Sequence, residues 1–368
     1  MGDKERLIGL NMIEGVGSVR TQALLEQFGS LDKVFKAKEK ELAGIEKIGP
    51  KLAPKILQSI KDIDIAPELE LVEKHGVRVI TFLDKDYPEN LKNIYDPPVV
   101  LYVKGEMLPQ DAVAVAVVGS RRASFYGMQT AEKMGFELAS RGVTVISGLA
   151  RGIDSKAHKG ALKAKGRTLA VLGSGLSNIY PEEHADLAEE IAMSGAVISE
   201  FPMMTIPDKG NFPKRNRVIS GLSLGVVVVE AAERSGALIT SDCAMEQGRD
   251  VFAIPGKVDS ITSKGTNRLI KQGAKLAETV DDILEELNLF RCVDRQPIPS
   301  TQRDKGKLLP GLDKDENLVY TLLTSDPKHI DELVEESKLG ISEISRILLN
   351  LEIRKLAKQL AGKNFVRS

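Results

Sequence analysis

Cysteine is nearly missing from this chain: of 368 residues only Cys243 and Cys292 carry a thiol, far apart and without a CxxC spacing. That excludes a disulfide scaffold and a structural zinc site, and it fits a reducing compartment. Histidine is as sparse. His75, His158, His184 and His329 are scattered with no HExxH pair, so neither metal nor cofactor is expected. No GxxxxGK followed by Ser or Thr occurs, which excludes a P-loop ATPase. No apolar run approaches membrane-spanning length and the opening MGDKERLIGL has no apolar h-region, so a cytoplasmic protein with no membrane partner is expected. Excess charge is missing too. With 51 Lys and Arg against 52 Asp and Glu, no global field steers the chain to a polyanion, and any nucleic-acid affinity must come from a local patch.

What is present falls into regions of different texture. Residues 1–65 read as short helices punctuated by glycine, MIEGVGSVRTQALLEQFGS and then ELAGIEKIGPKLAPKILQSI. Each half has a Gly turn, Gly15-Val16-Gly17 and Ile48-Gly49-Pro50, before a helix rich in Leu, Ile and Ala, which looks like a tandem helix-hairpin-helix or SAM-like fold. Such a turn presents backbone N–H groups to a phosphate, or the glycines are plain caps of a small helical bundle; the sequence leaves both open.

Residues 66–288 change to β-branched runs, each closed by glycine or an acid and followed by a helix. The runs at 113–120, 143–148, 168–175, 196–200, 226–230 and 251–256 read as strands. Near-continuous apolar strands alternating with helices predict an α/β domain, an extended Rossmann-like parallel sheet covered on both faces, with ligands beyond the carboxyl ends of its strands. Residues 289–312 gain Pro, Gly and mixed charge and read as a linker. Residues 313–368 give three helices and a short hairpin, the order of a winged-helix domain. The would-be recognition helix, Ile341 to Leu351, is mostly apolar with Arg346 as its one base, so a partner-docking module competes with a DNA reader.

Two segments carry the chemistry. Gly119-Ser120-Arg121-Arg122 ends the first apolar run, where a glycine lets backbone approach an anion and arginines add charge-assisted hydrogen bonds. GSRRAS is not a dinucleotide fingerprint, lacking the second and third glycines, and Gly173-Ser174-Gly175 closes with Asn178. In KGNFPKRNR, Lys209, Lys214, Arg215 and Arg217 crowd around Phe212. Basic residues neutralise successive phosphates, Phe212 offers a face to an unpaired base, and Asn211 or Asn216 bonds a base edge or sugar; the competing reading is a solvated basic turn with Phe212 in the core. The acids Asp154, Glu200, Glu230 and Asp242 stand near strand ends, where a hydrolase keeps a general acid or base, but none has a second acid at fixed spacing.

GSRRAS, SGLARGIDSKAH, NFPKRNRVISGL, VVVVEAAERSGALITSDCAMEQGRDVFAIPG and TNRLIKQGA, in this order and spacing, resemble the DNA-processing protein A family (DprA, also called Smf). The C-terminal residues are similar to its winged-helix tail and the N-terminus to its SAM-like domain. The resemblance implies binding rather than catalysis: a protein that protects incoming single-stranded DNA and loads the RecA recombinase onto it during natural transformation, as a homodimer joined through residues 236–285 or so. It places DNA on Gly119, Ser120 and Arg121, and on Lys209, Phe212, Arg215, Asn216 and Arg217. The alternative is a Rossmann-like nucleoside-monophosphate hydrolase, to which Glu230 after VVVV invites comparison; those enzymes resemble PGGxGTxxE there, and EAAERSGALIT lacks the Gly-Gly pair.

Overall fold

The computed structural model describes residues 1–289, 312–324, 327–354, 356–360 and 362–367. Residues 290–311, nearly all of the expected linker, lie outside the described residues. The chain forms two compact units, one holding the N-terminal helices and a large sheet, the other the C-terminal segment.

The first unit opens with helices at Asp3–Met12, Ser18–Phe28, Leu31–Phe35, Glu39–Ala43 and Gly49–Asp62. Gly15 and Gly49 stand in the two hairpin turns at φ of 83° and 66°, a region that favours glycine. Arg20 ties these turns together, its guanidinium donating to the carbonyl oxygens of Gly15 and, at 2.8 Å, Lys47. The helices bury Leu7, Leu10, Leu24, Leu42 and Ile56 in a cluster that runs on without a break into Val79, Tyr102 and Leu172 of the sheet and Met203 after β6.

Nine strands follow: β1 (Val77–Thr81), β2 (Val100–Gly105), β3 (Ala114–Val118), β4 (Thr144–Ser147), β5 (Thr168–Leu172), β6 (Ala196–Ser199), β7 (Gly225–Val228), β8 (Asp250–Ala253) and β9 (Lys275–Leu276). Their order is β1-β2-β6-β5-β4-β3-β7-β8-β9. All six runs read as strands are strands, and those six plus β9 pair in parallel. To this parallel sheet the structure adds an antiparallel strand, since β2 runs antiparallel to both β1 and β6. No crossover spanning a sheet face joins β1 to β2; the chain between them makes only the short helix Glu89–Lys92, and an antiparallel edge on a parallel sheet results.

Helices Phe125–Ser140, Ile153–Lys163 and Val280–Glu286 pack on one face of the central strands, and Asn211–Leu222 and Gly236–Glu246 on the other. Two of the helices touch backbone to backbone: a Cβ on Gly160 would strike the Glu132 carbonyl and one on Gly135 the Ala157 carbonyl. From β3 the chain winds through β4, β5 and β6 in one direction, then through β7, β8 and β9 in the other. The crevice between the carboxyl ends of β3 and β7 is therefore the switch point where such sheets bind ligands.

In the second unit, helices Lys314–Leu322, Ile330–Ser337 and Ile341–Ile353 pack with a three-stranded antiparallel sheet of order β10-β12-β11, formed by β10 (Lys328–His329), β11 (Ala357–Leu360) and β12 (Asn364–Arg367). Val319, Leu333, Ile344, Ile347, Leu351 and Phe365 form its core. The expected recognition helix is present and leaves Ile341, Leu349 and Ile353 exposed.

Candidate nucleic-acid interface

A cavity of 390 Å³ opens at the switch point. Gly119, at the end of β3, forms one wall. A Cβ there would meet the Ile153 side chain and the Glu230 carbonyl, and the next amide, Ser120 N–H, donates to that carbonyl at 2.7 Å. The Ser120 hydroxyl accepts from the Arg122 amide at 3.1 Å, closing the turn from within. These bonds fix the loop, and Arg121 and Arg122 both stand exposed on it.

The opposite wall is helix Asn211–Leu222. Lys209 lies exposed just before it. Phe212, partly buried, rests over Gly173 at the end of β5, where a Cβ would strike the ring. That packing, rather than a fingerprint, accounts for the glycine in Gly173-Ser174-Gly175. The Arg121 guanidinium lies 4.8 Å from the Phe212 centroid and that of Arg215 lies 6.0 Å away, within the range of cation–π attraction.

Helical periodicity divides the basic run. Successive residues turn by about 100°, so Phe212, Arg215 and Asn216 share one face and Asn211, Lys214 and Arg217 the other. Arg215 is buried, donating to the carbonyl oxygens of Gly148 at 2.7 Å and Val171, and to Asn216 Oδ1 at 3.1 Å. Burial lowers its pKa to about 10, opposed by the nearby Asp154 carboxylate, so it stays charged at neutral pH. Asp154 is buried as well; it accepts from the amides of Gly148 and Ala150, and desolvation raises its pKa against the pull of Arg215. The Asn216 amide donates to the Gly236 carbonyl at 3.3 Å. Arg215 and Asn216 thus line the cavity from inside the fold.

Arg217 faces elsewhere. Its Nε lies 3.0 Å from Asp96 and a terminal nitrogen contacts Glu200. Burial raises the Glu200 pKa, with Arg217 opposing. Together with Asn211 and Lys214, this ion-paired group borders a separate groove of 820 Å³ against the first hairpin turn.

Gly119, Ser120, Arg121, Phe212, Arg215 and Asn216 therefore meet at one cavity, with Lys209 before the same helix; Arg217 does not join them. The strand-end acids do not converge. Asp154 supports Arg215, Glu200 faces the second groove, Asp242 is exposed on helix Gly236–Glu246, and Glu230 is buried, accepting from the Thr262 hydroxyl at 3.1 Å. Sequence reasoning missed Tyr180, whose ring lies 5.8 Å from Phe212, and Arg151 beside it. Arg151 lies within SGLARGIDSKAH but carries no sign there of a place at the site, and Tyr180 lies in none of the motifs; the loops after β4 and β5 bring them to helix Asn211–Leu222.

A doubly wound sheet with an arginine and aromatic cluster at its switch point, joined to tandem helical hairpins and a winged helix, defines a Rossmann-like protein of the DNA-processing class. The model for DNA recombination-mediator protein A matches residues 78–288, that for the DprA winged helix domain residues 303–363, and that for the SAM-like helix-hairpin-helix tandem residues 6–62. The chain belongs to the DNA recombination-mediator protein A family. Protein Smf of Synechocystis is 34% identical, the match covering 97% of each chain. DNA processing protein DprA of Bacillus subtilis is 43% identical over 66% of this chain and 78% of its own. Among solved structures, DNA processing protein A from Streptococcus pneumoniae superposes with a TM-score of 0.68 at 37% identity, covering 78% of this chain and 98% of that one. DNA processing protein A from Helicobacter pylori, described for its single-stranded DNA binding mode, gives 0.52 at 29% identity, covering 58% and 95%.

Proposed function

We propose that this protein is a cytoplasmic recombination mediator that binds single-stranded DNA without sequence preference, protects a strand entering during natural transformation, and loads RecA recombinase onto it. The observation that carries the reading is Arg121 poised over Phe212 beside the Gly119 turn, at the switch point of the sheet. Cations there meet phosphates, and an aromatic ring accepts a base only when its face is free, as in a single strand and not in a duplex. The binding mode described for the Helicobacter pylori relative supports the same substrate. Gly119, Ser120, Arg121, Lys209 and Phe212 make the contacts in this reading, while Arg215 and Asn216 hold the wall that presents them. Exposed Ile239, Met245, Val258, Ile261 and Leu276 support a homodimer formed through the later part of the sheet domain.

The test is a gel-shift competition between single-stranded and duplex DNA of equal length, with RecA filament growth on protein-coated strand as a second readout. Preference for the single strand and faster filament growth are expected. Equal affinity for both DNA forms defeats the stacking reading, and unchanged RecA kinetics defeat the loading role.

A further inference from the structure

Tyr180 holds an unusual position for an aromatic residue. It is 38% exposed, yet the loop carrying it is fixed on both sides. The Ser174 hydroxyl donates to the Asn178 carbonyl at 2.6 Å, the Asn178 amide donates to the Met204 carbonyl at 2.9 Å, and His184 Nδ1 lies 2.8 Å from the Leu149 carbonyl. The ring meets Phe212 at 5.8 Å with the planes tilted by 44°, so Tyr180 packs against Phe212 while part of its surface stays exposed. Arg121, Arg151 and Arg215 line the recess that the two rings share. Arg151 is itself held, its guanidinium meeting Glu183 at 2.7 and 2.5 Å.

The recess has a volume of 30 Å³, room for about one water and far too small for a base. Nothing of nucleotide size can enter between the rings. What the pair offers is an outer surface, the exposed part of Tyr180 beside the partly buried Phe212 ring at fixed mutual orientation, flanked by guanidinium groups. Aromatic faces beside a cationic track fit unpaired bases on a phosphate backbone, and rings ordered before binding lose little conformational entropy on contact. Tilted rings match bases splayed apart, as in a single strand, and not the parallel stack of a duplex.

We propose that Tyr180 is a second stacking platform, so that Tyr180 and Phe212 together receive two unpaired bases of the same strand. The proposal rests on the single-strand reading above and adds a contact to it.

The chain has no tryptophan, so Tyr180→Trp installs a single indole at the site, whose emission is excited apart from that of the remaining tyrosines. Titration of this variant with oligothymidylate is expected to quench its emission saturably, and duplex DNA at the same concentration is expected to leave it bright. Tyr180→Leu, which keeps apolar bulk against Phe212, is expected to weaken single-strand binding roughly 5- to 150-fold with an unchanged salt slope. Tyr180→Phe should bind as the wild type does. Absence of quenching overturns the proposal, as does Tyr180→Leu binding at wild-type strength. So does a loss in Tyr180→Leu that comes with a lowered melting temperature and is not repeated by a stably folded Tyr180→Ser, since Tyr180 would then be a prop for Phe212. If the wild type itself fails to retain oligothymidylate, the single-strand reading falls. If the wild type binds and Phe212→Ala loses affinity while the Tyr180 variants do not, only the present proposal falls.

Discussion

Arg215 donates to the carbonyl oxygen of Gly148 at 2.7 Å, and the absence of a side chain on Gly148 is what lets the guanidinium lie there. A Cβ at that glycine would come within 2.7 Å of the guanidinium carbon and both terminal nitrogens, well inside van der Waals contact. Gly148→Ala is therefore expected to cost about 1–3 kcal/mol by overpacking. Arg215→Ala, which leaves Asp154 buried without its cation, is expected to cost about 3–5 kcal/mol. Urea denaturation of both variants checks this, and Arg215→Lys should not restore stability because one ammonium cannot reproduce the fork.

Arg217→Ala is expected to act on stability and not on the salt dependence of DNA binding. Its guanidinium is committed to Asp96 and Glu200, and Glu200 would be left buried beside a second acid. A loss of about 3 kcal/mol in urea denaturation, with an unchanged slope of log K against log salt, is the expected result.

Arg121→Ala should flatten that slope by about 0.7, the contribution of one phosphate neutralised on a single strand. Phe212→Ala should leave the slope alone and weaken binding by about 1–3 kcal/mol at every salt concentration. Fluorescence anisotropy across a salt series separates the two. Melting curves test whether Phe212, which packs over Gly173, also holds the fold.

His158 gives a pH dependence. Its Nδ1 lies 2.7 Å from Thr168 Oγ1, and that hydroxyl donates to the Val145 carbonyl, so Nδ1 carries a proton and donates to Thr168. Burial, and then the charges of His184 and Arg215, push its pKa down to about 3. Between about pH 6.5 and pH 3 the unfolded chain binds a proton that the folded ring refuses. This contribution to stability is complete above about pH 6.5 and is lost as pH falls, by at most about 1.4 kcal/mol per unit. Urea midpoints measured between about pH 7.5 and 5 should fall less steeply in His158→Gln than in the wild type.

The central strands were legible because buried parallel strands are nearly continuous in Val, Ile, Leu and Ala, and VAVAVV, TVIS and GVVV have that texture. β1 and β2 were not, although VRVIT and VLYVKG are ordinary strand sequences. Their place beside β6 is set by a pairing across nearly a hundred residues that no local pattern encodes. At the site, charge density singled out KGNFPKRNR but could not divide it. Which bases face the cavity depends on helical phase, and phase depends on where the helix starts, at Asn211. Arg217 carries the same charge as its neighbours in the sequence, and its ion pairs cannot be seen there because Asp96 and Glu200 come from distant segments.

The unbroken hydrophobic cluster between the N-terminal helices and the sheet carries a mechanical consequence. Leu7, Leu24 and Ile56 share their core with Tyr102, Leu172 and Met203, so this region has no soft joint about which the hairpins could swing. The two Gly turns are braced against each other by Arg20, and the first of them faces Glu200 and Arg217 across the second groove. Hairpins and sheet behave as one body rather than as a tethered pair, and heating should melt them as one cooperative block.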